Sequence, residues 1–108
     1  MFVAMNNFAV NPERAEDFEQ IWRDRESHLE DVPGFVHFVL LRSDDAGHYV
    51  SHSSWQSRAA FDAWTESEAF TAGHRGGGSM EGILMDHPRV ELFESVTEAS
   101  PRMAAAGD

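Results

Sequence analysis

The order in which hydrophobic period changes along the chain constrains its fold more than any other feature. Residues 2–10, FVAMNNFAV, alternate with the two-residue period of a strand, with Phe2, Ala4, Asn6, Phe8 and Val10 on one face. Asn11-Pro12 then starts a helix, with Asn11 as cap and Pro12 at the first helical position. From residue 13 to about 30, Ala15, Phe18, Ile21, Trp22 and Leu29 recur at helical spacing. Val32-Pro33-Gly34 breaks that segment. Residues 35–42, FVHFVLLR, read as a second strand, apolar enough to be expected buried on both faces. Residues 43–47 form a polar turn, and 48–55 read as a third strand. Ser57 caps a second helix expected to reach about residue 71, with Ala60, Phe61 and Trp64 on one side. Residues 73–82, five of them glycine, are expected to form a mobile loop, and 89–96, RVELFESV, a fourth strand.

The resulting order, β-α-β-β-α-β, is the ferredoxin-like motif of an α+β fold. One domain is expected over residues 1–97, with a flexible tail over 98–108. Two helices on one face of four strands leave the other face bare. A sheet this apolar does not leave that face in water. Pairing two sheets face to face closes a barrel, so a homodimer, a dimeric α+β barrel, is expected.

Composition removes several function classes. The formal net charge of −11 argues against non-specific binding to nucleic acid or to an anionic membrane. All eight basic residues are arginine, so Schiff-base chemistry on lysine is excluded. The absence of cysteine excludes disulfides, thiolate metal sites and cysteine nucleophiles. No stretch approaches the roughly 18 apolar residues of a membrane span. The first ten residues lack a basic region and read as a strand rather than a signal peptide, so a cytoplasmic location is expected.

Four pieces of sequence carry a resemblance. They are the opening strand FVAMNNF, with asparagine at its centre; PGF at 33–35 leading into FVLLR; WQSRAAFDAW at 55–64, a W-x-S-x-x-x-F-x-x-W run; and AFTAGH at 69–74, whose histidine lies ten residues after the last tryptophan. Over about residues 2–96 the chain resembles the antibiotic-biosynthesis-monooxygenase superfamily of small dimeric α+β barrels, and within it the Isd-type haem-degrading monooxygenases. The third piece marks the superfamily; the first and fourth point to the haem subgroup.

The resemblance implies a function and a site. Haem lies between the sheet and the second helix, serving as both substrate and oxygen-activating centre. An external electron donor, either a reductase or a small reductant, supplies the electrons. His74 is implied as the axial ligand of the haem iron, and Asn6 and Trp64 as the residues crowding the opposite, oxygen-binding face. Trp64 presses on the porphyrin and distorts it, and Asn6 donates a hydrogen bond on that face. Asn7 competes with Asn6; a gap-free alignment of Phe8 and Val10 with the family's apolar positions selects Asn6. Arg75, next to His74, is the candidate partner for the haem propionates, with backbone amides of 76–78 in support.

Plain alternatives stand beside these roles. A neutral imidazole suits haem iron, yet a histidine near a helix C-terminus also favours the helix dipole. Trp64 could be core, and Asn6 a capping residue. Ten residues turn an ideal helix so that Trp64 and His74 lie roughly 80° apart; both reach one flat ligand only if the helix bends or ends first. His48 and His52 share a strand face, which is thin support for a metal site. His28, His37 and His87 read as ordinary polar residues. Two other functions remain in view: a cofactor-free quinol or anthrone monooxygenase, whose relatives often place asparagine where this chain has Ala60, and a non-enzymatic haem-binding barrel.

Overall fold

A computed structural model of the protein describes residues 1–25, 29–67 and 82–101. The strands are β1 (Phe2–Ala9), β2 (Phe35–Arg42), β3 (His48–Trp55) and β4 (Arg89–Glu94), and the helices are α1 (Ala15–Asp24) and α2 (Arg58–Thr65). The four strands form one antiparallel sheet in the order β2-β3-β1-β4. This is the expected α+β, ferredoxin-like arrangement.

The alternation read in β1 sets which side is covered. Phe2, Ala4 and Phe8 are buried. α2 lies on Phe2 through Phe61, with ring centroids 5.3 Å apart. α1 lies on Phe8 through Phe18, at 5.4 Å. Both helices therefore pack on one face of the sheet. Phe8, Val10, Phe18, Tyr49 and Ile83 form the main core, with Ile21, Trp22 and Leu40 packed around it. Glu19 of α1 ties that helix to two strands: its carboxylate accepts from Tyr49 Oη, from Arg42 Nη1 at 2.8 Å and from Arg23 Nη2 at 3.0 Å. The Tyr49 hydrogen bond, then Arg42, hold that carboxyl below the usual carboxylate range.

The caps form where the sequence places them. Asn11 Oδ1 accepts from the Glu13 amide at 3.0 Å, though the first turn, Pro12–Arg14, is a 3-10 helix. Ser57 Oγ accepts from the Ala60 amide at 3.2 Å. Gly47 carries the turn before β3 at φ 83°, where an added Cβ would stand 2.3 Å from the Val10 carbonyl oxygen. Gly34, at φ 82°, lets Ala60 of α2 come close: a Cβ there would lie 2.4 Å from that of Ala60.

Four expectations need correction. α1 stops at Asp24 and Arg25 is extended, whereas helix was expected to about 30. The run Arg23–Ser27 offers no apolar side chain to bury, so a further turn gains nothing from packing. Residues 29–31 form a separate 3-10 turn. α2 likewise ends at Thr65 instead of near 71. Thr65 Oγ1 donates to the Asp62 carbonyl at 2.8 Å and Ser67 Oγ to the Trp64 carbonyl at 2.6 Å, so side chains take over carbonyls at the helix end. The second strand is not buried on both faces, for Val36 and Leu41 are exposed. Leu41 lies on the face that neither helix covers, and Val36 falls at the irregularity in pairing between Phe35 and His37. β4 ends at Glu94, two residues early.

Candidate functional site

Register defines four rows across the covered face. They are Phe35–Trp55–Phe2–Glu94, Phe38–Ser53–Ala4–Leu92, Leu40–Ser51–Asn6–Val90 and Arg42–Tyr49–Phe8. α2 sits over the first row and α1 over the last. Between the helices, the β1–β4 half of the two middle rows stays open. Leu92 is 40% and Val90 57% exposed although both share the covered parity. The result is a cleft with an apolar floor of Ala4, Leu92 and Val90, and one polar side chain, Asn6.

Asn6 and Asn7 separate cleanly. Asn7 is on the opposite face, where Nδ2 donates to Glu91 Oε1 at 2.8 Å and to the Arg89 carbonyl at 3.2 Å. Asn7 Oδ1 meets His48 Nε2 at 3.3 Å. Asn6 is on the cleft face, and its Oδ1 is sealed from solvent with no hydrogen-bond partner among the described residues. Its Nδ2 is not sealed. The two ends of the amide therefore differ: the acceptor is sealed and unpartnered, and the donor is not among the sealed atoms.

Trp64 forms the α2 wall. Its ring lies 5.1 Å from that of Trp55 and 6.1 Å from that of Phe61. Trp55 is fully buried, and its Nε1 donates to Ser53 Oγ at 3.0 Å. Trp64 thus has an immobile ring behind it and cannot retreat into the core. Asn6 and Trp64 face the same side of the sheet without touching. Asn6 stands four residue steps along β1 from Phe2, beneath α2, a span of about 13 Å. His74 and Arg75, with the glycine-rich segment around them, lie outside the described residues, as does His28.

The α1 wall holds a residue that the sequence reading absorbed into a helical stripe. Trp22 stacks on Phe38 at 5.7 Å and 15°, meets Phe8 edge-on at 5.8 Å, and carries the Arg25 guanidinium 4.6 Å above its ring. Burial lowers the Arg25 pKa from its ordinary value. Trp22 Nε1 is sealed and unpartnered among the described residues. A third such atom, His52 Nδ1, belongs to the uncovered face. His48 and His52 share that face as expected, and no group of three metal-ligating side chains occurs among the described residues.

Comparison with known proteins narrows the class. The sequence profile of the antibiotic biosynthesis monooxygenase family matches residues 1–76. A heme-degrading monooxygenase of Bacillus thuringiensis (strain Al Hakam) is 26% identical over 80 residues, covering 71% of this chain and 74% of that one. Among solved structures, the heme degrader MhuD of Mycobacterium tuberculosis, with two hemes bound in its active site, superposes with a TM-score of 0.75 at 24% identity, over 93% of this chain and 100% of that one. A Bacillus cereus protein described as an antibiotic biosynthesis monooxygenase gives a TM-score of 0.75 at 20% identity, over 94% and 97%.

Proposed function

From the fact that this chain belongs to the antibiotic biosynthesis monooxygenase family, we propose that it is a haem-degrading monooxygenase whose substrate lies in the cleft between α1, α2 and the β1–β4 half of the sheet. The observation that carries the reading is Asn6: a single amide in an apolar cleft, with its acceptor sealed and its donor open. The haem-degrading relative and MhuD support it.

The residues present suit a flat, largely apolar molecule with a polar centre. Leu92, Val90 and Ala4 offer apolar floor, and Asn6 offers the donor. Haem, when bound, brings the iron that activates dioxygen and is itself the carbon skeleton opened. The chain's part is to hold and shape it. His74 would supply a neutral imidazole to the iron, and Arg75 a cation for the propionates. Trp64, backed by Trp55, would press on the bound ring. Asn6 Nδ2 would donate a hydrogen bond to the bound group. Electrons come from an external donor, and iron and an opened tetrapyrrole leave. The end of α2 at Thr65 removes the geometric objection to Trp64 and His74 serving one ligand, because no continuous helix fixes their angle.

The test uses purified protein and haemin. A Soret band forms on addition; with ascorbate and air it decays and iron becomes chelatable. Absence of a Soret band overturns the reading. A band that persists under reductant and oxygen transfers support to the non-enzymatic haem-binding barrel. The cofactor-free quinol oxygenase has less support: Ala60, the position where such relatives carry asparagine, is apolar and closed against Gly34.

The homodimer belongs to the same proposal. Val3, Met5, Val39, Leu41, Val50 and Phe93 share the sheet face that neither helix covers. Leu41 and Phe93 are each 44% exposed. A second copy on this face buries them and accounts for the apolar β2 sequence. Wild-type protein is expected to sediment at twice the chain mass, and Phe93→Glu at the single mass. A monomeric wild type contradicts this.

A further inference from the structure

We propose that Trp22 is a positioning residue for Asn6: its indole N–H, through one bridging water held also by Ser51, occupies Asn6 Oδ1 and so fixes Nδ2 toward the cleft. The inference rests on the reading of Asn6 as the cleft's donor.

Two sealed polar atoms of opposite character lie on this side of the sheet, the Trp22 donor and the Asn6 acceptor. Leaving either unpaired costs about 1–3 kcal/mol. The Trp22 ring cannot swing to find another partner, for Phe38, Phe8 and the Arg25 guanidinium clamp it on three sides. Its contacts also locate it. Phe38 belongs to the second row of the covered face and Phe8 to the fourth, so the ring spans the third row, Leu40–Ser51–Asn6. Ser51 is the direct cross-strand partner of Asn6 and shares its face of the sheet. Neither sealed atom has a hydrogen-bond partner among the described residues, and a single bridging water would satisfy both. A buried water needs two to four polar partners, and Trp22 Nε1, Asn6 Oδ1 and Ser51 Oγ supply three. Without that link the amide can flip, and a flipped amide presents an acceptor to the cleft where a donor is needed.

Two readouts test this, one without haem. In the apo-protein, the Trp22 indole N–H signal is assigned by its loss in Trp22→Phe. Asn6→Ala is expected to shift that signal and speed its exchange with solvent; an unmoved signal overturns the proposal whether or not haem binds. In the haem-loaded protein, the ferrous carbon monoxide complex reports hydrogen bonding through its C–O stretching frequency. Asn6→Ala moves this frequency, Trp22→Phe moves it the same way, and the double variant moves it no further. A wild-type frequency in Trp22→Phe, with Asn6→Ala displaced, overturns the positioning role and leaves the haem reading standing. A wild-type frequency in Asn6→Ala overturns the role of Asn6 itself. Should Trp22→Phe fold poorly, Ser51→Ala takes its place in both readouts, with the same expected directions.

Discussion

Replacement of Trp55 by alanine is expected to remove about 3–5 kcal/mol of stability. The side chain is fully buried and touches Phe35, Phe61 and Trp64, and its indole N–H is bonded to Ser53. Truncation leaves a cavity where the first row meets α2, and removes the hydrogen bond that Ser53 Oγ accepts. Against the 5–15 kcal/mol typical of a folded domain this is a large share. Urea denaturation measures it directly, and the midpoint of thermal unfolding should fall by more than about 12 °C. Trp55→Phe keeps most of the ring contact and should cost less. A loss under about 1 kcal/mol in Trp55→Ala would mean that Trp64 has no firm support, and its proposed pressure on the substrate would lose its basis.

Replacement of His74 by alanine should weaken haem binding on the order of a hundredfold or more. Loss of groups that merely orient a metal ligand costs about 10–100-fold, and the ligand itself should cost at least as much. The Soret maximum should also move, since a different group or water then occupies the axial position. Supplying free imidazole should restore part of the wild-type spectrum, a rescue that a purely structural histidine would not show. Wild-type affinity and spectrum in His74→Ala would take the axial role away from this residue.

Much of this arrangement was legible in the sequence, for identifiable reasons. Strand alternation alone puts Asn6 on the face of Phe2 and Phe8 and Asn7 on the other, and the register agrees. Local caps such as Asn11 and Ser57 depend on residues a few positions apart, so they read directly. Helix ends did not read. They are set at Thr65 and Ser67 by hydroxyls that bond carbonyls of α2, and at Arg25 by a side chain folded over Trp22. Exposure of β2 depends on which sheet face the helices cover and on the irregular pairing near Val36, long-range properties that composition cannot convey. Trp22 was visible as one more apolar residue on a stripe. That its N–H is sealed without a partner among the described residues follows only from the packing around it.

The proposed reaction turns on the Asn6 amide, and one comparison tests its role. Wild-type protein and Asn6→Ala are loaded with haemin to the same Soret absorbance, then followed under ascorbate and air. The account expects the variant to bind haem as the wild type does and to open the ring slower by on the order of a hundredfold, the scale of losing one placed donor. Equal rates at equal haem loading would contradict it.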